Sequence, residues 1–200
     1  MNRFYVFAAI SMISLYVCFD SSAAEAESHR IVALDGVITE ILFSLGAGGD
    51  LVGRPESAVY PEEAHNITSI GSEYYFNVES VLGLRPTMII AIDHPYSRRN
   101  ESEQQLARSG IRMVSVPYAT SLDLAVERVR LIAEAVDRVD AGNVAIDKMR
   151  TELEEVKAKV AERKALELPS PRLACMLLTE RGAFVLGRAG APVALAEVCG

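Results

Sequence analysis

Six short runs rich in apolar, strand-forming residues recur along the chain, at 31–34, 51–53, 67–70, 87–92, 112–116 and 173–178. Several are nearly continuous in Val, Ile, Leu and Met rather than alternating, the pattern of strands covered on both faces. Helical patterns lie between many of them. Residues 37–45 form one, stopped by Gly46, and residues 77–83 form a shorter one with Asn77 as N-cap. Asn100-Glu101-Ser102-Glu103 reads as a capping box that opens a helix running to Ser109, with Gly110 as its stop. This alternation predicts an α/β fold with a parallel sheet and right-handed crossovers.

Beyond Pro117 the pattern changes. Thr120 or Ser121 starts a helix with apolar positions at Leu124, Val129, Ile132 and Val136. A longer helix follows over 141–167, striped by Ala145, Met149, Leu153, Val156 and Val160 and charged elsewhere. Its length of nearly ~40 Å exceeds what one sheet layer needs and predicts a rod between two bodies. Pro169-Ser170-Pro171 ends it, and a strand begins at Leu173. The expected organisation is a parallel-sheet N-terminal lobe over 30–140, an inter-lobe helix over 141–167, and over 170–200 the beginning of a truncated second α/β lobe.

The first residues read as a targeting segment. Met1 to Arg3 is positively charged, Phe4 to Phe19 is apolar apart from Ser11 and Ser14, and small residues follow at Ser22-Ala23-Ala24 and Ala24-Glu25-Ala26. A run of about 16 residues is short for a membrane span of ~20, so a cleaved export signal over 1–24 is expected ahead of a retained anchor. Cys18 lies in the region of a lipid anchor, but Tyr16 and Val17 are bulky where small residues are needed. Export would leave Cys175 and Cys199, which could pair in an oxidising compartment, while Cys175 also reads as a small core residue. A net charge of −7 argues against a nucleic-acid partner, because phosphate contacts need a basic face.

In an open parallel sheet the ligand crevice lies beyond the carboxyl ends of the strands. The residues expected there are Asp35 and Gly36; Arg54, Pro55 and Glu56; Gly71, Ser72, Glu73, Tyr74 and Tyr75; Asp93, His94, Pro95 and Tyr96; and Pro117 and Tyr118. Tyrosines stack on flat ligand surface, and a tyrosinate oxygen is a hard donor to haem iron. Tyrosine also suits half-exposed loops with no ligand at all. His94 could ligate iron through a ring nitrogen or be a turn histidine ahead of Pro95. Arg98 and Arg99 could meet ligand carboxylates or simply occupy a polar first turn. Enzyme motifs fail: Gly46-Ala47-Gly48-Gly49 follows a helix rather than a strand, and no G-x-S-x-G, Walker or H-E-x-x-H pattern occurs. An exported α/β enzyme would need a nucleophile beside a base, and no such set emerges.

Several segments in register resemble the periplasmic solute-binding proteins of ABC importers for iron complexes and cobalamin. They are Arg30 to Leu34, Thr39-Glu40-Ile41-Leu42, Leu45-Gly46-Ala47, Leu51-Val52-Gly53, Tyr60-Pro61, Ile70-Gly71, residues 77–87 and residues 105–111. Asp35-Gly36-Val37-Ile38-Thr39-Glu40-Ile41, Gly53-Arg54 and Gly187-Arg188 are most similar to the haemin-binding branch. The resemblance implies a two-lobe clamshell with a rigid connecting helix and no catalysis. It implies capture of haemin, or else of a siderophore, cobalamin or free metal ion, and delivery to an inner-membrane permease with its cytoplasmic ATPase. It also implies a periplasmic location, and the protein is expected to act as a monomer. Ser72 stands where the branch places its iron-ligating tyrosine, so Tyr74 or Tyr75 becomes the candidate haem-iron ligand. Tyr74, Tyr75, Tyr96, His94, Arg98 and Arg99 are the candidate ligand contacts. Glu79 matches the glutamate that docks on permease arginines, and it also simply suits the first turn of a helix.

Overall fold

Strand β1 (Ile31–Ala33) is completely buried, and its neighbours in sequence show why. Successive side chains leave a strand on opposite faces. Ile31 and Ala33 enter one apolar cluster, and Val32 and Leu34 enter another. The same division runs through β3 (Met88–Asp93), where Met88 and Ile90 face one way and Ile89 and Ala91 the other. Continuous apolar runs therefore occur because both faces are covered. The computed structural model describes residues 29–73, 75–94, 101–167, 176–179 and 182–185.

The sheet is four-stranded and parallel throughout, with β2 (Leu51–Gly53) at one edge, then β1, β3 and β4 (Arg112–Pro117). Helices α1 (Gly36–Ser44) and α4 (Leu122–Ala135) cover one face through Ile38, Leu42, Ile132 and Val136. Helices α2 (Val78–Gly83) and α3 (Glu101–Ala107) cover the other through Val78, Val81 and Leu106. Side-chain caps start three of these helices as local chemistry requires. Asp35 accepts from the Val37 amide at 2.8 Å, Asn77 from Ser80 at 3.0 Å and Ser121 from Leu124 at 3.2 Å. Gly46, at φ +72°, turns the chain out of α1.

The expected strand over 67–70 is reduced to a single parallel bridge between Arg54 and Ser69. A 3-10 turn over Glu62–Asn66 occupies the approach, and Gly71 at φ +104° leaves the edge immediately afterwards. Arg54 itself is buried, donating from Nε to the Ala64 carbonyl at 2.7 Å and from Nη1 to the Pro55 carbonyl at 2.9 Å. It ties the edge loop together and is not a ligand-facing group.

Helix α5 spans Val139–Ala165, 27 residues against the expected 141–167. Its buried positions are Gly142 and Ile146, which the sequence stripe omitted. Past Met149 the stripe is only half-covered, with Val156 37% exposed, and the charged side pairs internally, as in Lys157 with Glu154 at 2.7 Å. The expected last strand exists as β5 (Met176–Thr179), but its partner β6 (Gly182–Val185) pairs antiparallel to it. The expected signal segment, Cys18, the Asn100 cap, Cys175, Cys199 and Gly187-Arg188 lie outside the described residues.

Candidate functional site

The order β2-β1-β3-β4 reverses direction between β1 and β3, since the connection leaving β1 runs outward to β2 and the connection leaving β3 runs outward the other way to β4. A crevice opens at the carboxyl ends of the two strands flanking such a switch point. Here those ends are Asp35-Gly36 after β1 and Asp93-His94 after β3.

Residues 71–73 and 75–76 are the described parts of a small hairpin on the β1 side of this crevice. Gly71 bridges Phe76 antiparallel, and the Ser72 amide donates to the Tyr75 carbonyl at 3.1 Å. The Ser72 hydroxyl in turn accepts from the Tyr75 amide at 3.0 Å. Gly71 is required, because a Cβ there would lie 2.7 Å from the Tyr75 carbonyl oxygen and its φ is positive. Ser72 thus closes a turn, and Tyr75 projects from it with 85% of its surface exposed. Glu73 points the opposite way. Its Oε1 accepts from the Gly36 amide at 3.3 Å and from the Ser57 hydroxyl.

On the β3 side, His94 and Tyr118 meet with ring centroids 4.2 Å apart and planes inclined at 54°. Both are half-buried. Beside them a cavity of about 160 Å³ runs between α3 and the ends of β3 and β4, lined by Asp93, His94, Glu103, Met113 and Ser115 among others. It is smaller than the ~300 Å³ of a typical small-molecule pocket, so a large flat ligand would sit on the open rim rather than inside it.

Beneath the aromatic pair lies Arg128 of α4, only 8% exposed, donating from Nε to the Pro117 carbonyl at 3.0 Å. Burial lowers its basicity, while the charges of Asp35 and Tyr118 oppose that shift. Asp35 is pushed above the usual carboxylate range, first by burial and further by Glu73; the Val37 amide, Arg128 and His94 pull it back. The switch point is therefore a polar floor of Asp35 and Arg128 under an aromatic rim.

Of the expected ligand contacts, the structure places Tyr75 and His94 on this carboxyl edge, with Tyr118 beside His94. Tyr74, Tyr96, Arg98 and Arg99 lie outside the described residues. Glu79 is exposed in the first turn of α2, open to a partner. Arg128 was missed, although the sequence holds a signal: Leu124, Arg128, Ile132 and Val136 recur every fourth residue, so a cation sits in an apolar helical stripe. Asp35 and Glu73 were placed at strand ends without a role. Among the described residues no three His, Cys, Asp or Glu side chains converge as a metal-binding group.

A parallel sheet with helices on both faces, opening at a single switch point over an aromatic rim, defines a ligand-binding α/β lobe. The family model described as "Periplasmic binding protein" matches residues 31–195, and the chain belongs to that family. An uncharacterized ABC transporter substrate-binding lipoprotein, YvrC of Bacillus subtilis, is 28% identical over 133 residues, 66% of this chain and 42% of its own length. A vitamin B12-binding protein of Vibrio campbellii is 26% identical over 142 residues, 70% and 50% of the two chains. Among solved structures, the periplasmic heme-binding protein RhuT from Roseiflexus sp. RS-1 in apo form superposes with a TM-score of 0.75 at 28% identity. That match covers 86% of this chain and 64% of RhuT. The chain spans about half the length of the curated relatives it matches.

Proposed function

We propose that this protein captures haemin outside the inner membrane and hands it to the permease of an ABC importer, whose cytoplasmic ATPase drives uptake. The observation that carries this reading is the His94–Tyr118 ring pair at the carboxyl ends of β3 and β4, on the same edge of the sheet as the exposed Tyr75. Such rings offer apolar faces to a porphyrin, and a phenolate or imidazole offers an iron donor. The likeness to a structure titled as a heme-binding protein supports the same ligand class. In this reading Tyr74 or Tyr75 ligates the iron, His94 and Tyr96 border the macrocycle, and Arg98 and Arg99 meet its carboxylates. The protein works as a monomer without catalysis. Residues 1–24 act as a cleaved export signal, Cys18 carries no lipid, and 30–140, 141–167 and 170–200 are the first lobe, the connecting helix and the beginning of the second lobe.

Cobalamin is the second reading. It is favoured by the vitamin B12-binding relative and by Ser72, whose hydroxyl here closes a backbone turn where the haemin branch carries its ligating tyrosine. Titration of the full-length protein with haemin and with cyanocobalamin separates the two. Haemin should give a saturable Soret shift that is lost in the Tyr74→Phe, Tyr75→Phe double variant. Saturable binding of cyanocobalamin with no haemin spectrum would move the assignment to cobalamin, and binding of neither would sink both.

A further inference from the structure

We propose that Glu73 is a positioning residue, a clamp that holds the Tyr75 hairpin at the mouth of the crevice. The inference deepens the ligand reading given above and rests on it for its binding readout. Phe76 anchors the end of this hairpin in the core, so the part left to be held is its tip, at Ser72, Glu73 and Tyr75. Among the described residues the tip is closed by one antiparallel bridge and the Ser72 side chain, and the Tyr75 ring has little packing, being 85% exposed. One carboxylate oxygen joins it to two other segments. Glu73 Oε1 accepts from the Gly36 amide, the first residue of α1, and from the hydroxyl of Ser57 in the loop after β2. The Glu56 amide completes the lattice by donating to the Gly71 carbonyl at 2.8 Å.

Three properties of this contact set its role. First, Gly36 offers a main-chain donor at the start of a helix whose own cap, Asp35, already serves Val37, so Glu73 takes a neighbouring donor that the cap leaves over. Second, Glu73 lies near enough to Asp35 for its charge to raise the Asp35 pKa. The second carboxylate is therefore held there at an electrostatic cost, and hydrogen bonding offsets it. Third, Glu73 and Tyr75 leave the turn in different directions, one to the scaffold and one to solvent. A ligand-facing ring on a short turn binds well only if the turn does not have to be ordered on binding, and Glu73 supplies that order beforehand.

The test uses three forms of the full-length protein: unaltered, Glu73→Ala and Glu73→Gln. Glutamine keeps an acceptor oxygen in the same place without the charge. Hydrogen exchange in the ligand-free state should show the Ser72 and Tyr75 amides exchanging about tenfold faster in E73A, with β3 amides unchanged. E73Q should restore slow exchange. Stopped-flow release of haemin should be faster in E73A by a similar factor and return to the original rate in E73Q. Equal exchange in E73A and the unaltered protein would overturn the clamp. So would E73Q behaving like E73A, or faster exchange in E73A with no change in haemin release. If the unaltered protein binds no haemin, the ligand reading fails, and the exchange arm still decides the clamp.

Discussion

Asp35 shows how a single side chain at the switch point serves two demands that conflict. As the N-cap of α1 it should be an acceptor, and as a residue at the floor of the crevice it should not carry an unsolvated charge. Its carboxyl takes up a proton more readily in the fold than in the unfolded chain, because burial penalises the anion. Ionised Asp35 therefore subtracts stability at neutral pH. The penalty fades as pH falls through the raised folded-state value, and it is absent once both states are protonated below the ordinary carboxylate range. Asp35→Asn keeps the acceptor oxygen and removes the charge. It should raise the stability at pH 7 in urea unfolding, with the gain shrinking toward pH 4. An equal gain at both pH values would show that the charge is not the cause. At this scale the sequence was partly legible. Position after a strand drew attention to Asp35, Glu73 and His94, but their roles depend on partners 16 to 93 residues away, such as Ser57 for Glu73 and Arg128 for Asp35. The role of the Ser72 hydroxyl was hidden for the same reason, since only the Tyr75 backbone reveals what it does.

Among the elements, helix α5 carries the sharpest conflict between local preference and packing. Gly142 is in its first turns, where helix propensity alone would make alanine better by ~1 kcal/mol. A Cβ at that position would lie 2.5 Å from the Ala133 Cβ of α4. Ala133 has no far end to swing aside, so the two helix backbones would have to separate. Gly142→Ala should therefore destabilise by about 1–2 kcal/mol net in chemical denaturation, and a stabilised variant would show that the helices meet less closely. The central strands β1 and β3 were legible because burial on both faces leaves a nearly unbroken apolar signature, and the caps at Asn77 and Ser121 because capping is local chemistry. The run over 67–70, with Thr68 and Ser69 between two isoleucines, does not form the expected strand. Its apolar ends, Ile67 and Ile70, pack into the core from an edge loop, with one bridge instead of a ladder. Apolar content reports burial, and only neighbours decide whether a buried segment is also a strand. Helix α5 hid its buried positions differently: Gly142 is not apolar by side chain, and Ile146 stands one step off the stripe read from the spacing.

For the whole molecule, the exposed Glu79 at the start of α2 offers a charge to a partner, and its exposure leaves it free to act in encounter rather than in folding. If it docks on permease arginines, Glu79→Lys should leave haemin titration and thermal stability unchanged. It should slow haemin uptake by the reconstituted transporter several-fold, more so at low salt. Uptake at the original rate would remove Glu79 from the docking surface. The parallel sheet has a consequence of a different kind. All of its strands run the same way, so the buried layers answer to one set of residues while the segments emerging beyond Asp35, Arg54, Asp93 and Pro117 answer to another. Selection can rewrite the cargo of such a lobe by exchanging rim loops and leave its folding instructions intact. Divergent relatives can thus share one scaffold and still part company over what they carry.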